Sequence, residues 1–535
     1  MIFDSPIRFL NRSPPKFFHM KRRNFIQTTG LTLPLMLNGL KLRAMSKSAV
    51  FSAVDDETDR VLVLIQLNGG NDGLSMITPL DQYDKLANVR GNILIPQGSL
   101  LDVGFNQAFH PGMAGIKSIF EDGKMGVVQA VGYPNQNRSH FRSTDIWTSG
   151  SPAEEVWSTG WLGRFFQSQQ VDYPVGYPNA DYPDPFALTM GGSVSETCQG
   201  VAANFSIAID DPFTLGTLTT GGSDTAPNTP YGVELDFLRQ SILSTNAYSA
   251  GIKEAADSST NLATYPDDNK LAEQLKNVAL LIAGGLKTKV YVVNLGGFDT
   301  HAGQTSLDPT LGDYPVLMEL LSPAVAAFQK DLALLGIEKR VLTMTFSEFG
   351  RRIRSNDSYG TDHGDAAPLM LFGSCVRPGF TGESPEIPVN PAVSESVAMQ
   401  YDFRNVYGSV LMDWFKVEES AVKDLLFQDF SYIPLVDGCN ATPTTELPAA
   451  TLTFTPYPNP FSQTMNISFQ SGSEHVRLSL FNGLGQELVV LVNKRLDAGG
   501  HTVQFNSEGL PSGNYYLNLR LEHGRQKTKL VSKAN

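Results

Sequence analysis

The chain has 535 residues, of which 41% are hydrophobic, enough for at least one large core and, by length, about two to four domains. A net charge of −13 argues against a nucleic-acid protein, because binding phosphate backbones takes a basic patch and no Lys/Arg-rich stripe follows residue 60. Three widely spaced cysteines, Cys198, Cys375 and Cys439, supply neither a disulfide framework nor a CxxC metal signature; one bridge and a free thiol fit the number.

Residues 1–50 read as an address. In "MKRRNFIQTTGLTLPLMLNGLKLRA", Arg22 and Arg23 precede Phe25-Ile26 and a mildly apolar stretch, Leu31 to Leu40, broken by Pro34, Asn38 and Gly39. That stretch falls short of the roughly 20 apolar residues of a membrane span, so no stable transmembrane segment is expected. It resembles a twin-arginine export signal, which implies the twin-arginine translocase as a partner and passage through the periplasm.

After Arg60 comes "VLVLIQLNGGNDGLSM", an apolar run closed by Gly-Gly, as expected of a strand buried on both faces. Similar runs recur at 124–131, 289–294, 340–346 and 368–373, separated by stretches of helical spacing at 270–286 and 315–335. Strands alternating with helices predict a mostly parallel, doubly wound α/β sheet over residues 58–435. The stretch 165–260 is richer in Pro, Gly, Asp, Thr and Asn and weakly periodic, so it reads as a long insertion or cap.

Composition changes at residues 436–451, a Pro- and Thr-rich linker, and 452–535 then alternate apolar and polar residues in short runs with Gly at most turns. This predicts a small antiparallel β-sandwich. "YPNPF" (457–461), "LFNGLGQEL" (480–488), "GLPSGNYYLNL" (509–519) and "KLVS" (529–532) resemble the C-terminal sorting domain of the type IX secretion system of Bacteroidota. The resemblance implies the type IX machinery as a partner and a final location at the cell surface or outside the cell. A carbohydrate-binding accessory domain would show an exposed aromatic platform, whereas Tyr515 and Tyr516 lie inside a strand pattern.

Four of the eight histidines, His110, His140, His301 and His363, serve nearly the whole central region, and all fall in polar loop-like sequence. In an open parallel sheet the residues just beyond the carboxyl ends of the strands converge, however far apart in sequence. By that rule Asp72 ("NGGND"), Asp299 and His301 ("GGFDTH"), Glu348 ("TFSEFGRR"), and Asp362 and His363 ("GTDHGD") are candidate metal ligands. Carboxylates with imidazoles suit Zn²⁺ or Mn²⁺, or with few histidines Mg²⁺ or Ca²⁺. The bland alternatives are caps for Asp362 and Asp365 and an ion pair from Glu348 to Arg351 or Arg352. "YPNQNRSHFRSTDIWTSG" (133–150) adds Arg138, Ser139, His140 and Arg142 before a helix-like stretch, and a helix N-terminus with arginines nearby suits an anion such as phosphate or sulfate.

"NGGNDGLSM", "NRSHFRSTDIWTSG", "NLGGFDTHAGQ" and "TFSEFGRRIRSN…GTDHGDAAPLMLFG", in that order, are similar to the DUF1501 proteins and, more distantly, to the alkaline phosphatase superfamily. The resemblance implies an alkaline phosphatase-like fold, one or two divalent ions, and hydrolysis of phosphate or sulfate esters. It makes Asp72, Asp299, His301, Glu348 and His363 the metal-ligand positions. It departs at the nucleophile: ten residues before Gly150 stands His140, with Ser139 one place off, and Glu348-Phe349 stands where an Asp-His pair is usual. Attack then falls to Ser139, His140 or water, with Arg138 or Arg142 steadying charge. Two functions remain: an exported metal-dependent hydrolase of anionic esters, or a cell-surface binding or structural protein on a lapsed hydrolase fold.

Overall fold

The computed structural model describes residues 59–215, 226–227, 229–436, 454–471, 474–482, 486–497, 499–521 and 526–534. In a separate N-terminal unit it adds an antiparallel pair, Met36–Leu37 with Leu40–Lys41. The paired arginines of the export signal and nearly all of the 436–451 linker lie outside the described residues.

The five apolar runs expected to be strands are strands, and shorter strands, some of them polar, join them. These are β1 (Val61–Leu67), β2 (Met125–Gly132), β3 (Ala187–Met190), β4 (Ser206–Ile209), β5 (Val290–Leu295), β6 (Val341–Phe346), β7 (Arg351–Ser355), β8 (Thr361–His363), β9 (Ala367–Phe372), β10 (Gly379–Thr381) and β11 (Tyr401–Asp402). The central sheet runs β10-β2-β9-β6-β1-β5-β3-β4, with β11 also on β2. Among the described residues every pairing in it is parallel except those of β9, which runs against both β6 and β2. One rim therefore gathers the carboxyl ends of β1, β2, β5 and β6 and the amino end of β9. β7 and β8 form a separate antiparallel hairpin between β6 and β9.

The alternation of side chains across a strand splits β1 between two cores. Val61, Val63, Ile65 and Leu67 pack on one side with helices Lys270–Ala283 and Asp313–Leu334; Leu62 and Leu64 pack on the other with His140–Ser149, Trp161–Gln169 and Phe403–Phe415. This is the expected doubly wound α/β architecture. Each fully buried aliphatic side chain contributes about 1.5–3 kcal/mol. In Lys270–Ala283 the inward residues Leu271, Leu275, Val278 and Ile282 follow helical spacing, and Asn269 caps the first turn by accepting from the Ala272 N–H. The helix stops short of the predicted Leu286 because Gly284 and Gly285 follow, the latter with φ of 97°.

Residues 165–260 do more than cover the sheet: they supply β3 and β4, which extend it by two parallel strands, and the helix Pro230–Asp257. Cys375 is disulfide-bonded, and Cys198 is a buried free thiol. Among the described residues no helix is long and apolar enough to cross a membrane.

The C-terminal strands form two antiparallel sheets. Phe454–Tyr457, Thr464–Ser471 and Gly499–Asn506 make one; Glu487–Leu496, Glu474–Phe481, Gly513–Leu521 and Gln526–Lys533 make the other. Their inward residues, including Phe454, Ile467, Leu478, Leu480, Leu517 and Val531, form a core of their own. Tyr515 is buried and donates its hydroxyl to the Pro511 carbonyl.

Candidate metal centre

Two tight turns and one hairpin build the site. Beyond β1 the chain turns at Gly69 and Gly70, and beyond β5 at Gly296 and Gly297. The turns are laced together: Asn68 N–H donates to Leu295 O, and Phe298 N–H to Asn68 O. Gly69 has φ of 123°, and a Cβ there would stand 2.3 Å from the Asp299 nitrogen, so only glycine lets the two turns touch. In the β7–β8 hairpin Arg351 lies opposite His363. At its tip, Gly360 passes so close to the His301 carbonyl that a Cβ would come within 2.3 Å of the oxygen.

Three imidazoles surround the Asp299 carboxylate. His363 Nε2 is 3.1 Å and His301 Nε2 3.3 Å from Oδ1, and His140 Nε2 is 3.4 Å from Oδ2. The other ring nitrogen of each is already engaged: His363 Nδ1 donates to the Arg138 carbonyl at 2.7 Å, His140 Nδ1 faces Glu348 Oε1 at 2.8 Å, and His301 Nδ1 faces Asp362 Oδ1 at 3.2 Å. A carbonyl or carboxylate opposite Nδ1 fixes the proton there and leaves the Nε2 lone pair to point at Asp299. His140 Nε2 is buried and has no hydrogen-bond partner. Nitrogen lone pairs aimed at a carboxylate repel it unless a cation or proton lies between, and an acceptor behind each ring is the usual support of a metal-bound histidine.

Charge in the site is strongly biased. Burial opposes ionisation of Asp299, but the Arg351 guanidinium, bonded to it, outweighs burial and holds the carboxyl down at about 2. Burial lowers the His363 pKa, against the pull of Asp299, so its ring favours the neutral, ligand-competent form. Asp362 also sits below the ordinary range, its burial outweighed by His301, Asn356 and Arg352. Arg351 is fully buried; it donates to Asp299 Oδ1 at 2.8 Å and to the carbonyls of Gly69, Gly70, Phe298 and Thr361.

Residues 99–416 match the family described as Protein of unknown function (DUF1501), over more than half of the chain. The chain belongs to the DUF1501 family. Residues 455–533 match the secretion system C-terminal sorting domain, which marks this family member for export. No curated protein matches it in sequence. Among solved structures it is similar to one from glycosaminoglycan metabolism by Bacteroides thetaiotaomicron, with 10% identity, TM-score 0.33, and 84% of this chain and 90% of the other covered. It is also similar to a Vibrio parahaemolyticus protein in the alkaline phosphatase superfamily, with 9% identity, TM-score 0.30, and 83% and 79% covered. A sulfatase from Pseudoalteromonas sp. is similar with 9% identity, TM-score 0.32, and 84% of each chain covered. TM-scores this low say nothing of the chemistry of the DUF1501 domain.

The residues picked out by sequence separate into three groups in this DUF1501 protein. His140, Asp299 and His363 present ligand atoms all within 4.8 Å of one another, and His301 adjoins them. Glu348 and Asp362 stand one layer out, each behind a histidine; buried Glu348 Oε1 also accepts from the Gly69 N–H at 2.8 Å. The rest are engaged elsewhere. Asp72 is buried against Arg90 Nη1, with its two oxygens at 3.0 and 2.9 Å, and accepts from Ser75 and Gln304. Burial disfavours its charge, yet Arg90 and these bonds lower its pKa overall. Arg138 clasps Asp365 with two nitrogens, and Arg142 pairs with Asp145 and the carbonyls of Pro152, Ala153 and Glu155. Ser139 is the exposed N-cap of His140–Ser149, and its side chain makes no capping bond.

Sequence reasoning missed Arg351 as the partner of Asp299. It also placed His140 at the nucleophile's position, and the structure groups its ring with the candidate ligands Asp299 and His363. His140 opens a helix and His363 ends a strand, so neither lies in a loop as expected. The strand-end rule was the signal that found Asp299, His301 and His363.

Proposed function

We propose that the chain is an exported, metal-dependent hydrolase of phosphate or sulfate esters that crosses the periplasm on its way to the cell surface or the medium. One observation carries the reading: three Nε2 lone pairs meet around the Asp299 carboxylate, one of them buried and otherwise unpartnered, with an acceptor behind every ring. That donor set fits a divalent ion, held by His140, Asp299 and His363. When bound, such an ion supplies Lewis-acid polarisation of an ester oxygen. The chain's own residues do the rest. Glu348 and the Arg138 carbonyl keep the His140 and His363 protons on Nδ1, and Arg351 holds Asp299 ionised. The first turn of His140–Ser149 offers free amides and the positive end of its dipole to an anionic group. Exposed Ser139, free of a capping duty, presents a hydroxyl for attack; otherwise water is the nucleophile.

A second reading, a lapsed binding or structural protein, is favoured by the arginines: both cations expected to steady an oxyanion, Arg138 and Arg142, are tied to Asp365 and Asp145. The test is turnover of aryl phosphates and aryl sulfates by the purified chain, with its metal content measured. The hydrolase reading expects turnover that Asp299→Ala and His363→Ala abolish at unchanged circular dichroism. Bound metal without turnover across the panel selects the second reading.

A further inference from the structure

The geometry points to a centre for one nitrogen-preferring transition ion of the zinc class, with His301 Nε2 as fourth ligand and no second ion beside it. This rests on the metal reading above and adds the count, the class of ion and the fourth ligand.

His301 has what the other two histidines have. Its Nδ1 faces a carboxylate, Asp362 Oδ1, at 3.2 Å, and its Nε2 lies 3.3 Å from Asp299 Oδ1 and 2.8 Å from His363 Nε2. Two imidazole nitrogens facing each other at that distance cannot both offer bare lone pairs; a proton or a shared cation must intervene. The separations from Asp299 Oδ1 to the His363 and His301 nitrogens, 3.1 and 3.3 Å, are close to the edge of about 3.3 Å for a tetrahedron with bonds of about 2.0–2.1 Å; His140 Nε2 stands 3.4 Å from the other oxygen, Oδ2, and the His301–His363 nitrogen edge is shorter at 2.8 Å. Three imidazoles and one carboxylate are a set that Ca²⁺ and Mg²⁺, which seek oxygen, do not favour and zinc-class ions do.

The count follows from the other carboxylates. A second ion needs an anionic group without a resident cation, and the nearby ones are spoken for. Asp72 is matched by Arg90, Asp362 by Arg352 at 3.0 Å, and Asp365 by Arg138. Glu348 Oε1 accepts from both the Gly69 N–H and His140, while Oε2 takes the Ser347 hydroxyl. Asp299 also carries Arg351, on Oδ1, but unlike the others it is faced by three imidazole Nε2 atoms, so the donors gather at one place only among the described residues.

The experiment uses the purified full chain, stripped with chelator and titrated separately with Zn²⁺, Mn²⁺, Ca²⁺ and Mg²⁺. Bound metal per chain is counted by mass spectrometry after desalting, and affinity is measured by calorimetry. One zinc per chain is expected, with Ca²⁺ and Mg²⁺ bound far more weakly. His301→Ala, at a half-exposed position, should weaken zinc binding by more than the roughly 10- to 100-fold loss usual for a residue behind a ligand, which is the loss expected of Asp362→Asn. Two ions per chain, a preference for Ca²⁺ or Mg²⁺, or undiminished zinc affinity in His301→Ala overturns this inference while leaving a metal site standing. No bound ion of any kind overturns both it and the metal reading.

Discussion

Asp72→Asn separates a metal ligand from a structural ion pair. In the fold, Arg90 Nη1 reaches both Asp72 oxygens, while Arg90 Nε and Nη2 donate to the carbonyls of Ile353 and Arg352; both side chains are essentially inaccessible. Asparagine keeps the shape and an acceptor for Gln304 but leaves a buried guanidinium uncompensated, a loss of about 3–5 kcal/mol. Unfolding entropy grows with chain length, and for a domain of this size that loss lowers Tm by about 5 °C. Adding Arg90→Met removes the stranded charge and recovers only part, because the Ile353 and Arg352 carbonyls lose their donor. Differential scanning calorimetry reads the stability and mass spectrometry the bound metal. A melting point lowered by several degrees with metal content unchanged is expected. Lost metal at an unchanged melting point would make Asp72 a ligand and refute the reasoning.

Glu348→Gln removes the charge behind His140 and should weaken metal binding by about 10- to 100-fold in calorimetry with little change in fold. His110 is buried, and burial pulls its pKa down to about 4. The unfolded chain takes up this proton near pH 6.5, so stability present at neutral pH is lost as pH falls from about 6.5 towards 4, by about 2 kcal/mol between pH 7 and 5. His110→Asn keeps an acceptor for the Gly112 N–H and should flatten this acid dependence, measured as Tm at the two pH values. Asn269→Ala deletes the cap of Lys270–Ala283 and should cost about 0.5–2 kcal/mol in urea unfolding. Truncation after residue 453 should keep the protein from the cell surface and the medium, followed by cell fractionation.

The sheet was legible because its central strands are buried on both faces and so appear as unbroken apolar runs; β3 and β4, with only "ALTM" and "SIAI", are too short to stand out from the insertion around them. The rim where the candidate ligands gather was legible for the same reason, since the ends of the runs mark it. What the rule does not encode is how far a residue lies past its strand. Asp299 lies directly across from the Gly69 turn, whereas Asp72 follows that turn, at the head of Gly73–Met76, and falls to Arg90. Nor can sequence tell a ligand from the carboxylate behind it: Glu348 and Asp362 share the chemistry of ligands but face the rear nitrogens of His140 and His301. Arg351 is hidden for a further reason, because "GRR" offers two arginines and only tertiary packing sends the first inward.

The hairpin that sets Arg351 against His363 makes the centre sensitive to parity. Side chains on a strand alternate, so inserting or deleting a single residue within Thr361–His363 would turn His363 to the opposite face and take Asp362 from behind His301. Changes in length at the tip between the arms, around Asp357 and Ser358, carry no such penalty. Variation among family members should therefore collect at that tip, reshaping the approach to the centre while its donors stay in step.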